Sequence, residues 1–563
     1  MLPPSLLELI SLYLVTSVTA APAPAPAVRS SDSVKRQIPS YAPRDTDCPS
    51  TSLVRQANGI SAQEASYISS RKSKADIALA AWLSKQGNFS NGSQPVVALA
   101  SSGGGYRALL ETAGVVQAFD SRDSDVSTSG LYQGLTYHSG LSGGSWFLSS
   151  QAGNNWPTVS SLQEDLWEDS FDNSLLVPAN LLSLSGLTQY GLVTTDLLAK
   201  QDAGYDTTIV DPWGRLLSYQ LLDGFNGGVG TTLSGLTSLS NFEAANVPYP
   251  IITTTTNFPA DDQCFPTVDG PIFEFHPYEY GSWDQGISAF ARTKYMGTEM
   301  DSGEPVDRDE CTRNYDNLGY ILGTSSDIFP ITCSAPEPAS NSPFQDADEV
   351  DLVSALEGLV ALTHEPVVND LFGIYPNPFY NSPDSPLVAD EENLRLSDGG
   401  LANQNVPIWP FLFRQVDVLI ANDNSADTAN NFPNGAALRQ TYLNARAANL
   451  TRMPFIPPVE TFVSQGLNKR ATFFGCEAKN ATTMMIVYLP NVNYTYESNT
   501  PTAKLEYSER ETEGMVGNGV EIATQGGDEG WVFCLACAIK RGDGLGSLPS
   551  GCGECFDEYC YRE

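Results

Sequence analysis

Two apolar segments of this chain each lead into a glycine-rich turn that is followed by a helical pattern. Residues 95–101 (PVVALAS) precede a GGG turn at 103–105, and residues 131–137 (LYQGLTY) precede GLSGG at 140–144. A short buried strand, a tight glycine turn and a helix together make one βα unit. Repeated units of this kind predict an α/β core with a largely parallel sheet.

The same alternation of strand and helix patterns continues along the chain. We predict strands at 250–257, 394–397 and 416–422, helices at 70–85, from Asp211 onward and at 354–362, and a strand, turn and helix over 320–329. The stretch 155–242 is rich in leucine and serine. This composition is equally compatible with a cap that covers a binding site and with ordinary helices that pack on the core.

The net charge of the chain limits the classes of partner that it can bind. The 563 residues carry 66 acidic and 30 basic side chains, a net charge of −36, while 41% of the residues are hydrophobic. A polyanion of this kind repels nucleic acid and gains nothing from anionic lipid surfaces. The apolar content is ample for a large core, so a folded protein is expected.

The N-terminus has the pattern of an export signal. An apolar run over 6–18 ends in small residues, which predicts a signal peptide at 1–20. A Pro/Ala-rich stretch ending in Lys35-Arg36 follows, and it predicts a pro-segment at 21–36, with a plain linker as the alternative. Ordered structure is expected from residue 41, as a single domain over 41–563.

Further features agree with export to the cell exterior. The polar C-terminus FDEYCYRE carries no hydrophobic lipid-anchor signal, so a released, extracellular protein is expected. Five N-x-S/T sequons are predicted glycosylation sites: Asn88, Asn91, Asn449, Asn480 and Asn493.

Ten cysteines are present, and the cluster near the C-terminus has two interpretations. Residues 531–563 contain CLAC and CGEC pairs, and this spacing is also found in zinc sites. In an exported chain with an even number of cysteines, disulfides are the better prediction, and zinc is kept as the minority alternative. Four earlier cysteines are expected to tie the first part of the chain to its middle: Cys48, Cys264, Cys311 and Cys333.

Ser142 is the candidate nucleophile. It lies in GLSGG, which fits the G-x-S-x-G pattern of a sharp strand-to-helix turn that exposes a serine hydroxyl. The three glycines at 103–105 expose backbone N–H groups that bind an oxyanion or phosphate, unless the turn is merely tight. Arg107, one step into the following helix, would hold a phosphate or a carboxylate, or form a surface salt bridge.

The base for such a serine is the harder question. The chain has three histidines, His138, His276 and His364, and a standard Ser-Asp-His order needs a histidine late in the chain. A carboxylate is the alternative, because a poorly solvated Asp next to a serine hydroxyl accepts its proton. Asp398, in LSDGG at a strand end, is the candidate. By pattern alone, an Asp that merely begins a turn is the better interpretation.

The chain resembles the fungal lysophospholipase (phospholipase B) family in five segments that occur in the same order. They are SSGGGYRALL, YHSGLSGGSW, GYILGTSSDIF, LSDGGLANQNVP and VDVLIANDNSADT. The catalytic domain of that family is similar to that of cytosolic phospholipase A2 and, more widely, to patatin. The resemblance runs from about Cys48 to Cys560. It implies a three-layer α/β fold of the patatin and cytosolic phospholipase A2 type.

The resemblance also implies roles for the candidate residues. Ser142 would be the nucleophile and Asp398 its base, and Gly104 and Gly105 would supply the oxyanion amides. Arg107 would steady the charge of the head group or the intermediate. The expected activity is hydrolysis of lysophospholipids in micelles or at a membrane surface, with diacyl phospholipids open as further substrates and no metal or cofactor required.

Two other functions stay open at this point. The first is a secreted esterase or protease of another class that uses one of the histidines. The second is a non-catalytic relative that binds lipid. The complete set of Ser142, Asp398, Arg107 and the glycines is evidence against the second function.

Overall fold

A sheet of twelve strands lies at the centre of the computed structural model, which describes residues 39–89, 92–175, 184–256, 266–330, 371–476 and 482–562. In chain order the strands are β1 (Val54–Gln56), β2 (Val97–Ser101), β3 (Leu135–Gly140), β4 (Tyr249–Thr256), β5 (Ile272–Phe275), β6 (Glu279–Ser282), β7 (Ala289–Arg292), β8 (Gly373–Pro376), β9 (Asn393–Ser397), β10 (Val418–Asp423), β11 (Thr472–Phe474) and β12 (Met485–Pro490).

The core of the sheet is parallel and its flanks are antiparallel. The strand order is β11-β12-β10-β2-β3-β4-β5-β6-β7-β1, and β9 pairs with β4 on one side and β8 on the other. Strands β12, β10, β2, β3 and β4 are mutually parallel, and they are buried along their whole length. Helices cover both faces of such strands, which explains their continuous apolar sequences. The antiparallel flank from β5 to β1 was not predicted.

Helices flank this sheet. They are α1 (Ala62–Gln86), α2 (Tyr106–Phe119), α3 (Leu131–Gly134), α4 (Gly143–Gly153), α5 (Val159–Leu162), α6 (Glu168–Phe171), α7 (Leu184–Asp202), α8 (Val210–Leu221), α9 (Ser240–Glu243), α10 (Leu318–Ser325), α11 (Ala436–Ala447), α12 (Val459–Ser464), α13 (Glu509–Thr524), α14 (Trp531–Ile539) and α15 (Cys552–Tyr559). None of the helices in the described ranges is long and apolar enough to cross a membrane.

Three predicted elements differ from the structure. The strand predicted within 320–329 is wrong, because Leu318–Ser325 is helix α10, capped by the side chain of Asn317. Every residue of α10 is buried, so its apolar sequence has no helical periodicity that distinguishes it from a strand. The strand predicted at 131–137 is shifted, since α3 comes first and β3 ends at Gly140. Helix α1 begins earlier than predicted, after the cap residue Ser61.

The predicted cap over 155–242 contains helices α5 to α9. Helix α8 is buried along almost its whole length and packs on α10. The contact is close, because a Cβ on Gly214 of α8 would lie 2.3 Å from the carbonyl oxygen of Gly319. This part of the stretch therefore favours ordinary packing, and a movable cap stays a prediction. The helix predicted at 354–362 lies outside the described residues.

Disulfides join elements at the C-terminal end and tie the start of the described chain to its middle. Cys534 pairs with Cys555 and Cys537 with Cys552, which joins α14 to α15 by two bridges. The zinc alternative for these two pairs is therefore wrong. Two further bridges, Cys476–Cys560 and Cys48–Cys311, tie segments that are far apart in the chain. Cys264 and Cys333 lie outside the described residues.

Candidate active site

Ser142 occupies a strained turn between β3 and α4. Its backbone has φ 50 and ψ −125, a conformation that non-glycine residues rarely adopt. Two bonds hold it there, since its N–H donates to the carbonyl oxygen of Ser325 at 3.1 Å and to the Ser325 hydroxyl at 3.0 Å. The carbonyl of Ser142 begins helix α4 by accepting from Trp146. The predicted strand–turn–helix geometry is present.

The glycines around Ser142 are required by neighbouring backbone. A Cβ on Gly143 would lie 2.0 Å from the carbonyl oxygen of Gly105, and a Cβ on Gly144 would lie 2.3 Å from that of Ser101. These approaches bring the turn after β3 against the turn after β2. A Cβ on Gly103 would in turn stand 2.9 Å from the Cβ of Ser142. The two glycine turns predicted from the sequence therefore form one site.

Asp398 lies next to Ser142. It follows β9, is 4% exposed, and its carboxyl lies close enough to the Ser142 hydroxyl for that group to lower its pKa. The N–H of Gly400 donates to the same carboxyl at 2.7 Å, and the N–H of Asp398 donates to the carbonyl oxygen of Asp327 at 3.1 Å. These bonds fix the carboxyl beside the nucleophile, although Ser142 and Asp398 are far apart in the chain.

Burial makes the carboxyl of Asp398 a weaker acid than an exposed Asp. Loss of solvation raises its pKa to about 7, and the hydrogen bond from Gly400 and the nearby Ser142 hydroxyl oppose that rise. A carboxylate of this basicity takes a proton from a hydroxyl group much more readily than an exposed Asp does. Asp398 is therefore placed and tuned as a candidate general base.

The amides of Gly104 and Gly105 are available to a ligand. Both residues have positive φ, 144 and 60, in the turn between β2 and α2. Within the described ranges neither N–H donates to a protein acceptor, whereas the N–H of Gly103 donates to Asn405. Free backbone N–H groups beside a serine nucleophile suit an oxyanion. The alternative of a merely tight turn does not explain why two donors are left open here.

Arg107 lies behind this turn, without exposed surface. Its Nε donates to the carbonyl oxygen of Asn424 at 3.0 Å, its Nη2 to the Thr502 hydroxyl at 3.1 Å, and its Nη1 to the carbonyl oxygen of Thr500. Burial lowers its pKa to about 10, so the guanidinium stays charged at neutral pH. The surface salt bridge considered for Arg107 is thus wrong. A Cβ on Gly104 would stand 2.7 Å from Nη2, which shows how near the charge is to the turn.

One buried and one half-buried carboxyl share the neighbourhood of Arg107. Asp423 ends β10 and accepts from the Tyr488 hydroxyl at 2.9 Å. Asp427 accepts from the N–H of Asn434 at 2.9 Å, and burial together with the charge of Asp423 raises its pKa to about 7. When these carboxyls are ionised, their negative charge partly offsets the positive charge of the Arg107 guanidinium.

The described histidines do not serve the nucleophile. His138 lies within β3 with no exposed surface, and its Nε2 is bonded to the Ser101 hydroxyl at 2.9 Å. Burial lowers its pKa to about 3, so it stays neutral. His276 is bonded to Tyr249 on the other flank of the sheet. His364 lies outside the described residues.

Ser325, Asn405 and Asn424 contribute to the site, and no role was predicted for them. Ser325 ends α10 and holds the amide of Ser142, while Asn405 bonds the GGG turn. The backbone of Asn424 holds Arg107. All three lie in segments that resemble the lysophospholipase family, and their dense Ser and Asn content next to apolar segments was the available signal.

The predicted glycosylation sites that are described lie at the surface. Asn88, Asn449 and Asn493 are exposed, so an oligosaccharide could be attached to each without unfolding the chain. Asn91 and Asn480 lie outside the described residues. No group of three or more His, Cys, Asp or Glu side chains suited to a metal ion occurs in the described ranges.

The chain is similar to a known protein family and to several of its members. A family model described as "Lysophospholipase catalytic domain" matches residues 97–563. Lysophospholipase 1 of Saccharomyces cerevisiae is 36% identical over 571 residues, covering 93% of this chain and 84% of the yeast protein. Lysophospholipase 2 of Aspergillus fumigatus is 36% identical over 575 residues, covering 94% of this chain and 95% of the Aspergillus protein.

A solved structure confirms the fold class. Human GIVD cytosolic phospholipase A2 superimposes with a TM-score of 0.67 at 19% sequence identity, covering 89% of this chain and 72% of the human one. At this identity the likeness concerns the fold alone. The α/β fold of the cytosolic phospholipase A2 type that the sequence segments implied is therefore confirmed.

Proposed function

The chain belongs to the family of lysophospholipase catalytic domains, and from this premise we propose that it is a secreted enzyme that cleaves fatty acyl esters with a Ser142–Asp398 dyad. Family membership makes it a lysophospholipase, or phospholipase B. The proposal adds the dyad, the covalent intermediate, the cell exterior as its location, and substrates presented in micelles or at a membrane surface, with diacyl phospholipids as further substrates.

One observation carries the mechanism: the Ser142 hydroxyl lies beside a buried carboxyl whose pKa is raised to about 7. In the first half-reaction, Ser142 Oγ attacks the ester carbonyl carbon and Asp398 takes the hydroxyl proton. The carbonyl oxygen becomes negative and is received by the amides of Gly104 and Gly105. Asp398 then gives its proton to the departing glycerol oxygen, and the acyl group remains on Ser142.

Water completes the cycle in the second half-reaction. Asp398 takes a proton from water as the water oxygen attacks the acyl carbon, and the same amides receive the second oxyanion. Collapse of this intermediate releases the fatty acid, and Asp398 returns the proton to Ser142 Oγ. The positive charge of Arg107 stabilises both oxyanions from behind the turn, since its guanidinium approaches Gly104.

Fluorophosphonate labelling tests the covalent step. A fluorophosphonate should modify Ser142 and no other residue, as located by mass spectrometry of tryptic peptides, because only an activated serine displaces fluoride at a useful rate. Ser142→Ala should abolish labelling, and Ser149→Ala, a buried serine of the same helix α4, is the matched control that should retain it. Labelling elsewhere, or no labelling of active protein, would remove the basis for an acyl-enzyme at Ser142.

The secreted location is supported by three features. They are the signal pattern at 1–20, the exposed sequons and the disulfides, which persist in oxidising compartments. Expression of the full chain in a fungal host tests this. The protein should be recovered from the medium, begin after Lys35-Arg36, and lose mass on treatment with an N-glycosidase. Retention in the cell with an intact N-terminus would contradict it.

A further inference from the structure

Asn405 places an amide oxygen at the site whose orientation is fixed by its neighbours. Its Nδ2 donates to the carbonyl oxygen of Gly103 at 3.1 Å and to the Ser425 hydroxyl at 2.8 Å. A backbone carbonyl only accepts hydrogen bonds, so the side of the amide that faces Gly103 must be the NH2 group. The oxygen Oδ1 consequently points the other way.

Oδ1 of Asn405 lies near both Ser142 and Asp398. A Cβ on Gly103 would stand 2.4 Å from Oδ1 and 2.9 Å from the Cβ of Ser142. A Cβ on Gly400 would stand 3.0 Å from Oδ1 and 3.1 Å from Oδ1 of Asp398. The amide oxygen is thus adjacent to both members of the proposed dyad.

This oxygen is an acceptor without a donor. In the described parts of the chain, no N–H or O–H group is bonded to Oδ1, and Asn405 is only half-buried. A substrate group can therefore approach it. An uncharged acceptor at this place suits a hydroxyl group of the substrate that lies close to the ester being cleaved.

A monoacyl phospholipid carries such a group, and a diacyl phospholipid does not. In the monoacyl lipid, the glycerol carbon next to the esterified one bears a free hydroxyl. In the diacyl lipid that oxygen is acylated and has no proton to donate. The leaving glycerol oxygen must lie near Asp398 to be protonated. Because Oδ1 of Asn405 lies near the same carboxyl, the neighbouring hydroxyl comes within its reach.

We propose that Oδ1 of Asn405 accepts a hydrogen bond from the free glycerol hydroxyl and so makes this residue a determinant of preference for monoacyl over diacyl phospholipids. The inference rests on the proposed function, because it assumes that Ser142 attacks a glycerol ester. A substrate without the hydroxyl leaves Oδ1 desolvated and unpaired, a loss that corresponds to about fivefold in kcat/KM.

Removal of the hydroxyl from the substrate is the cleanest test, because substitution of Asn405 also breaks its bonds to Gly103 and Ser425. We would measure kcat/KM for palmitoyl lysophosphatidylcholine and for the analogue in which a hydrogen atom replaces the glycerol hydroxyl. The enzymes are the wild type, Asn405→Ala and Ser425→Ala. Ser425→Ala is the matched control, since it loosens the same side chain without removing Oδ1.

Wild type and Ser425→Ala should favour the hydroxylated substrate about fivefold, and in Asn405→Ala this ratio should fall to about one, whatever its overall rate. An unchanged ratio in Asn405→Ala, or a ratio of one in wild type, would overturn the proposal. The proposal would also be overturned if burst kinetics showed slower deacylation as the sole defect of Asn405→Ala. In that case Oδ1 would accept from the water that attacks the acyl-enzyme and not from a substrate hydroxyl. Wild type that cleaves neither substrate would instead refute the proposed function.

Discussion

At the scale of single residues, the acidity of Asp398 predicts how activity depends on pH. Its carboxyl must be ionised to accept the Ser142 proton, and burial raises its pKa to about 7. We therefore expect kcat/KM to fall as pH drops below about 7, roughly tenfold per pH unit once the carboxyl is protonated. Measurement of kcat/KM from pH 4 to pH 9 checks this. A rate that is flat down to pH 5 would contradict a base with this pKa.

Ser325 allows a second prediction at this scale. Ser325→Ala removes the hydroxyl that accepts from the Ser142 amide at 3.0 Å while the backbone acceptor remains. The strained turn should become less well positioned, so we expect kcat to fall about tenfold with little change in KM.

The neighbouring residue is the control for Ser325. Ser326→Ala removes a buried hydroxyl that contacts Trp213 and not the nucleophile, so it should leave kcat within about twofold. Equal loss of kcat in the two variants, with equal loss of thermal stability, would mean that Ser325 acts only through folding.

Residue-scale prediction from the sequence succeeded where local backbone demands are strong. Ser142 was recognisable because only glycine tolerates the close approaches at Gly143 and Gly144. Asp398 needed the family resemblance, since an Asp before two glycines is by pattern alone better explained as the start of a turn. Ser325 and Asn405 were missed because their contacts join positions 183 and 302 residues apart, which no local pattern encodes.

At the scale of elements, helices α2 and α13 cross at two glycines. A Cβ on Gly519 of α13 would lie 2.3 Å from the carbonyl oxygen of Glu111, and a Cβ on Gly114 of α2 would lie 2.0 Å from that of Val516. Because α2 begins directly after the glycine turn at 103–105, this crossing supports the site from behind. Backbone atoms cannot give way as a side chain does, so the two helices must separate if either glycine gains a methyl group.

Two substitutions on the same helix separate this contact from helix propensity. Gly519→Ala should destabilise the protein by about 3 kcal/mol through overpacking against α2. Gly517→Ala, at an exposed position of α13 with nothing near its Cβ, should stabilise it by about 0.5–1 kcal/mol. Urea unfolding of both variants measures the two values. Equal effects would contradict the close crossing.

Element types followed from the sequence where strands are flanked by turns, and failed where burial is complete. Strands β2, β4 and β10 were predicted because each apolar run is short and ends in polar or glycine residues. Helix α10 was taken for a strand because all of its faces are buried, which removes the helical period from its sequence. The antiparallel flank carries no signal of its pairing partners.

At the scale of the whole molecule, buried carboxyls predict a fold that is more stable in mild acid. Burial raises the pKa of Glu111 and Asp427 to about 7, as it does for Asp398, and that of Asp284 and Asp316 to about 6. Between about pH 4 and pH 7 the folded protein holds protons that the unfolded chain has released, so stability falls as pH rises through this window. The net charge of −36 acts in the same direction.

Thermal unfolding at several pH values measures this effect. We expect the melting temperature at pH 5 to exceed that at pH 8 by several degrees, and Asp427→Asn to reduce the difference because it removes one of the titrating groups. Exposed Asp557→Asn is the control and should leave the difference unchanged. A protein that is most stable at pH 8 would contradict the burial of these carboxyls.

The central claim is that a serine and an aspartate cleave the acyl ester without a histidine. Its most direct test is fatty-acid release from lysophosphatidylcholine by wild type, Ser142→Ala, Asp398→Asn and His138→Ala, with circular dichroism to show that each is folded. We predict that wild type and folded His138→Ala release fatty acid and that Ser142→Ala and Asp398→Asn lose at least about a thousandfold in kcat. Near-wild-type turnover by Asp398→Asn would contradict the claim.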